Sequence, residues 1–193
     1  MDYLRDPEAI YRQSFAAIRR EVDLSDVPES LHAVVLRLVH ACGRPEIVRD
    51  LAWRGDPAGA AKDARSIFVD ATMVAAGITR LSARCTLNDP RVAELAKEHG
   101  TTRSSAAVEL WRDGLAGAVV AIGNAPTALF RLLEILAEPN APQPAAIFAF
   151  PVGFVGAAES KEALIASATT VPYLTLRGRF GGSALAAAAI NAL

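Results

Sequence analysis

From residue 66 onward the chain alternates short, uninterrupted apolar runs with longer segments of helical periodicity. This alternation restricts the possible folds more than any other feature. The runs are SIFVDA, GAVVAIG, AAIFAF and PYLTLRG, with ARCTLND as a weaker fifth. Apolar runs of this length are read as strands buried on both faces. Between and after them lie PRVAELAKEHG, RSSAAVELWRDGL, APTALFRLLEILAE, AAESKEALIAS and GSALAAAAINAL. Parallel strands need a crossover, and a crossover helix covers one face of the sheet. The expectation is therefore an α/β fold with a mainly parallel sheet and helices on both faces.

The segment before residue 66 reads as a helical extension. In DPEAIYRQSFAAIRREV, Asp6 suits an N-cap and Pro7 the first helical position. Ile10, Phe15, Ile18 and Val22 recur at helical spacing. A second helix is expected from Glu29 to Cys42, stopping at Gly43, with Pro45 opposing its continuation. No repeat of fixed period is present, and the Pro-rich connector EPNAPQP at 138–144 lies between helix and strand. With 193 residues, 52% of them hydrophobic, the chain is read as one domain over residues 1–193 with a sizeable core.

A net charge of −1 offers no basic surface for nucleic acid. No stretch approaches the roughly 20 apolar residues of a membrane span. The first residues carry acids and no apolar core, so no signal peptide is expected. The two cysteines, Cys42 and Cys85, lack paired spacing. A cytoplasmic protein without disulfides follows as the expectation.

Ligands of open parallel sheets bind beyond the carboxyl ends of the strands. There the chain places Asn124-Ala125-Pro126-Thr127, PVGFVGAAESK and GRFGGSALA. Glycines allow close approach, and helix starts present free N–H groups to anions. Arg177 and Arg179 flank Gly178 before the last helix, which suits a ligand bearing carboxylates; tight turns and helix packing would account for the same residues. GRFGGS is not a dinucleotide fingerprint and follows the last strand instead of the first. No phosphate loop, no G-x-S-x-G elbow and no HExxH motif is present. The three histidines, His32, His40 and His99, form no ligand cluster with cysteine.

His40 stands in LRLVHACG. At 100° per residue, Leu31, Val34, Val35, Leu38, Ala41 and Cys42 share one stripe of the expected helix. His40 falls nearly opposite, beside Leu36, with Ala33 and Val39 at the margins. This second apolar side needs a cover: another part of the chain, a partner subunit or a ligand. A helix C-terminus favours a cation, and a satisfied structural histidine is the commoner case for such a residue. Arg103 opens a helix, where its charge opposes the dipole unless an anion or carboxylate is near. Ser14, in the middle of a helix, is unremarkable by itself.

Seven blocks in order resemble the precorrin-8X methylmutase (precorrin isomerase) family: YLRDPEAIYRQSF, VHACG, VDATMVAAGITR, TTRSSAAVELW, AIGNAPTALFRLLE, FPVGFVGAAESK and RGRFGGSALAAAAINAL. The resemblance implies a three-layer α/β/α, Rossmann-like sandwich and a homodimer with active sites near the subunit interface. It implies neither organic cofactor nor metal. The implied reaction moves a methyl group from C-11 to C-12 of precorrin-8X to give hydrogenobyrinic acid in cobalamin biosynthesis. A cobalt-containing counterpart is the substrate in the anaerobic branch. By resemblance His40 is the acid–base residue, and Ser14, Thr79, Arg103, Asn124, Phe154, Gly156 and Arg179 surround the macrocycle. A tetrapyrrole carrier without turnover is the alternative; a nucleotide-dependent oxidoreductase is more remote. Residues 55–66 and 80–89 are short for the family, which bears on the contacts of Thr79 and Arg80.

Overall fold

The computed structural model describes residues 1, 3–79 and 81–193. Helix α1 (Pro7–Glu21) starts as its sequence dictates: the Asp6 carboxylate accepts the Glu8 N–H and Pro7 takes the first turn. Helix α2 (Glu29–Cys42) stops at Gly43, whose φ of 65° is the left-handed conformation that glycine adopts without a Cβ penalty. A 3-10 turn (Pro45–Asp50) leads into β1 (Leu51–Arg54), and a short α3 (Pro57–Ala60) follows. The alternating part then comprises β2 (Ile67–Val69), α4 (Thr72–Gly77), β3 (Arg84–Cys85), α5 (Arg91–Glu98), α6 (Arg103–Glu109), β4 (Val119–Ile122), α7 (Pro126–Leu136), β5 (Ala146–Ala149), α8 (Ala157–Ala166), β6 (Tyr173–Leu176) and α9 (Ser183–Ile190).

The strands form one sheet of six in the order β1-β6-β5-β4-β2-β3, one more than the five expected. The additional strand is β1, which pairs antiparallel with β6 from Leu51↔Leu176 to Arg54↔Tyr173. Its four residues LAWR are too short for a period to show, and the strand exists because β6 offers it an edge. Arg54 is anchored across that edge, donating to the carbonyls of Thr169 (2.6 Å) and Ser167 (3.4 Å). At the other edge the weaker candidate ARCTLND contributes only Arg84 and Cys85.

Alternate residues of the buried strands enter different cores. Ile67, Val69, Val119, Ala121, Ala146 and Phe148 pack with α2, α4 and α9, while Phe68, Val120, Ile122, Ile147 and Ala149 pack with α7 and Trp111. A third, smaller cluster joins α5 to α6. The result is helix, sheet and helix layers, with α1 lying outside on α2. Gly77 and Ala187 mark a close approach of α4 to α9: a Cβ on Gly77 would stand 2.7 Å from that of Ala187.

Two expected stripes are corrected. In α1, Ile10 is exposed and Phe15 is the buried anchor. In α2 the buried face includes Leu36 and Val39, whereas Ala41 is exposed and Cys42 half-buried, because the helix leaves the core over its last turn. No helix among the described residues is long and apolar enough to cross a membrane.

The reversed direction of β1 matters for function. Its first residue lies opposite the last residue of β6, so the C-terminal turn of α2 is delivered to the carboxyl edge of the parallel strands. Contacts fix it there: the Arg177 N–H donates to the Asp50 carbonyl (2.7 Å), and the Arg44 guanidinium lies 4.6 Å from the centre of the Phe180 ring.

Candidate active site

The chain runs from β2 outward to β3 and then returns to β4 on the other side of β2, so the topological switch point lies between β2 and β4. Asp70, the residue after β2, is only 2% exposed and fills this crevice. Its Oδ1 accepts the Gly123 N–H (2.8 Å), and its Oδ2 accepts those of Asn124 (2.9 Å) and Ala125 (2.6 Å). Burial pushes the Asp70 carboxyl up from its usual range, and the three N–H groups pull it partly back. The three consecutive N–H groups that lead from β4 into α7 are thus already taken by a carboxylate.

The loops after β4, β5 and β6 lie side by side, as expected from three adjacent parallel strands. They are fitted backbone to backbone. A Cβ on Gly181 would stand 2.2 Å from the Phe150 carbonyl oxygen, and the Gly182 N–H donates to that oxygen (2.8 Å). Gly156 has a φ of 81° and caps the start of α8, where a Cβ would press on Pro126 at 3.1 Å. Asn124 is half-buried, and its side-chain amide makes no hydrogen bond among the described residues.

The two arginines around Gly178 differ in role. Arg177 is engaged by Glu162 at 2.6 Å. Arg179 has no carboxylate partner among the described residues and lies over the Phe154 ring, 5.2 Å from its centre. Phe154 and Val155 are 86% and 87% exposed, with Val152 exposed beside them, so the tip of this loop is an uncovered apolar patch next to a free cation. On α8, which follows this loop, Lys161 is fully buried and donates from Nζ to the Phe180 carbonyl (2.7 Å). Burial pushes its ammonium down to about 8.

His40, delivered to the same edge by α2, stacks on Phe15 with ring centres 4.9 Å apart and planes 24° from parallel. Its Nδ1 shares a 2.9 Å hydrogen bond with the Ser14 hydroxyl, donated by whichever of the two carries the proton. Ser14 and Phe15 are adjacent on α1, so one turn of that helix orients the imidazole by both hydrogen bond and stacking. The cover for the second apolar side of α2 is therefore α1. It leaves His40 exposed and its Nε2 without a hydrogen-bond partner among the described residues. Two concavities flank the helix pair. One of about 220 Å³ is lined by Ser14, Ile18, Val39, His40 and Pro45. The other, of about 340 Å³, is lined by Tyr11, Phe15, Arg19, Leu36, Arg37 and Asn191.

Other expected site residues are placed differently. Arg103, exposed at the start of α6, donates to the Leu87 carbonyl (3.0 Å) and the Asn88 side-chain oxygen (3.3 Å). Its neighbour Thr102 meets Thr127 of α7 at 2.8 Å, which keeps Arg103 at the carboxyl edge, and no carboxylate among the described residues neutralises it. Thr79 is not brought to the strand-end loops: its N–H donates to the Asn191 side chain (2.9 Å) just past the C-terminal end of α9. Arg80 lies outside the described residues. No group of three or more His, Cys, Asp or Glu side chains that could hold a metal occurs among the described residues. Sequence reasoning misses Asp70 and Lys161. Asp70 had a sequence signal, an acid ending an apolar run; Lys161 had none.

Comparison with known proteins bears on this arrangement. The family model described as precorrin-8X methylmutase matches residues 9–193. A Pseudomonas aeruginosa protein named precorrin-8X methylmutase is 54% identical over 203 residues, covering 100% of this chain and 97% of the relative. That alignment is about ten positions longer than the chain, in line with the expected shortening. A Methanocaldococcus jannaschii protein named cobalt-precorrin-8 methylmutase is 37% identical over 174 residues, covering 88% of this chain and 81% of the relative. Among solved structures, the precorrin-8X methylmutase of Thermus thermophilus superposes with a TM-score of 0.83 at 35% identity, covering 96% of this chain and 93% of that one.

Proposed function

This chain belongs to the precorrin-8X methylmutase family, and we propose that His40 is the acid–base group of the isomerisation. The enzyme is an isomerase of cobalamin biosynthesis. The reaction moves a methyl group from C-11 to C-12 of precorrin-8X, giving hydrogenobyrinic acid. The observation that carries the role of His40 is its geometry. Nδ1 is held by Ser14 and the ring by Phe15, while Nε2, at an exposed position on the carboxyl edge, has no hydrogen-bond partner among the described residues.

Methyl migration redistributes electron density around a conjugated ring. A proton or hydrogen bond placed on a ring nitrogen biases that redistribution, and imidazole supplies it near neutral pH. The surrounding residues hold the macrocycle in place. Arg103 and Arg179, neither neutralised by a carboxylate among the described residues, would take the acetate and propionate arms. Asn124 would add a free amide, and Phe154 an apolar surface beside Gly156. Thr79, tied to Asn191, would border the macrocycle from the end of α9. Identity to the Pseudomonas protein exceeds that to the archaeal cobalt-precorrin-8 enzyme, which supports the metal-free substrate.

A second copy of the chain would complete the site, and residues 1–193 would act as one domain of a cytoplasmic homodimer. Two observations support the dimer. The concavity at His40 is about 220 Å³, smaller than the pockets that bury even drug-sized ligands. Phe154 and Val155 also need a cover. A carrier role without turnover is not favoured, because the relatives are named for the reaction.

The test follows the visible spectrum of precorrin-8X with the purified protein. Wild type is expected to convert the chromophore. His40→Ala is expected to bind hydrogenobyrinic acid but to leave precorrin-8X unchanged. Normal turnover by His40→Ala would refute the acid–base role, and a monomer at assay concentration would refute the interface site.

A further inference from the structure

We propose that Asp70 is a positioning residue: from the far side of the switch point, it sets the loop that presents Asn124 to substrate. Both of its oxygens are used on three consecutive N–H groups, Gly123, Asn124 and Ala125, which lie more than fifty residues away in sequence. The opposite side of the loop is equally constrained. A Cβ on Gly123 would stand 2.8 Å from the Ala186 Cβ, 2.8 Å from the Ser183 Cα and 2.9 Å from a Val74 methyl group. The backbone at 123–125 is therefore wedged between a carboxylate and the α4–α9 pair. The Asn124 carbonyl also accepts the Val152 N–H (3.4 Å), which passes the constraint to the next loop. The Asn124 side chain has no hydrogen-bond partner among the described residues, so its amide is held ready and its backbone need not be ordered when a ligand binds.

The same contact selects the ligand. Exposed consecutive N–H groups draw anions, and here the three that lead into α7 are already taken by a buried carboxylate. A carboxylate arm of the substrate thus finds no free N–H at 123–125 and is left to Arg103 and Arg179. This inference rests on the reading that Asn124 lies in the substrate site.

The experiment is a double-mutant cycle of Asp70→Asn and Asn124→Ala, with KM and kcat for precorrin-8X measured separately. Asp70→Asn keeps the shape but turns an amide NH2 toward an N–H donor. It is expected to raise KM about tenfold, the equivalent of one charged hydrogen bond, with kcat changed less than about threefold. If Asp70 acts through the loop, adding it to Asn124→Ala produces little further rise in KM; full additivity of the two effects overturns the proposal.

Asp70→Ala supplies a second test, since it opens a carboxylate-sized hole faced by three N–H groups. Sodium formate, against sodium chloride at equal ionic strength, is expected to lower the KM of Asp70→Ala and to leave wild type unchanged. Formate that raises the melting temperature of this variant without lowering its KM would show a merely structural role and overturn the proposal. Where Asp70→Ala does not fold, the Asp70→Asn cycle decides. Should wild type fail to turn over precorrin-8X, the methylmutase reading falls. The same cycle, read on the Kd of hydrogenobyrinic acid, then judges Asp70 by the same additivity.

Discussion

Replacing Lys161 with Met tests how the β6 loop is held. Lys161 has no exposed surface, and its only hydrogen bond among the described residues goes to the Phe180 carbonyl. Asp50 and Glu162 pull its pKa upward, but burial outweighs them and brings the ammonium from 10.5 to about 8. The unfolded chain therefore holds a proton that the native state lacks between about pH 8 and 10.5, and native stability rises with pH across this window. Below it, burying the charged ammonium costs on the order of 3 kcal/mol, and moving from about pH 7 to about pH 9.5 recovers about 2 kcal/mol. Met removes the charge at similar length and forfeits one hydrogen bond, about 1 kcal/mol. At pH 7, Lys161→Met is thus expected to be about 1–2 kcal/mol more stable than wild type. The advantage should vanish toward about pH 9.5. Urea unfolding at the two pH values, followed by the fluorescence of Trp53 and Trp111, measures this directly. Parallel shifts of wild type and variant with pH would refute the buried-ammonium account.

Two further outcomes follow from the site geometry. Ser14→Ala removes the hydrogen bond on His40 Nδ1 and leaves the Phe15 stack; kcat should fall about tenfold or more with KM little changed, as measured by steady-state conversion of precorrin-8X. Arg179→Gln should raise KM about tenfold or more through loss of a charged contact to a substrate carboxylate, whereas Arg177→Gln, whose charge Glu162 already engages, should change KM less than about twofold. Equal KM effects of the two substitutions would show that the pairing seen here does not govern recognition.

Much of this architecture is legible in the chain because its signals are local. The N-cap Asp6, the stop at Gly43 and the doubly buried runs at β2, β4, β5 and β6 each depend on a few neighbouring residues. The same holds for His40: its place opposite the main stripe of α2 follows from helix geometry. That the face needs a cover follows from its apolar neighbours. The identity of the cover does not, since Phe15 and Ser14 reach it only when α1 docks.

Sequence alone determined the α/β order, the carboxyl-edge loops and a histidine set apart from the core, since periodicity and capping act over a turn or two. Tertiary structure decided the rest, because it rests on pairings between distant residues. LAWR is a strand only where β6 supplies an edge, and its reversal brings α2 to the loops. Glu162 separates Arg177 from Arg179, and Asn191 draws Thr79 away from the strand-end loops. Lys161 reads as an ordinary surface charge, and Asp70 as no more than an acid closing an apolar run, until the folded chain encloses them. Once desolvated, each must find backbone partners, and both find them in the loops around the candidate site.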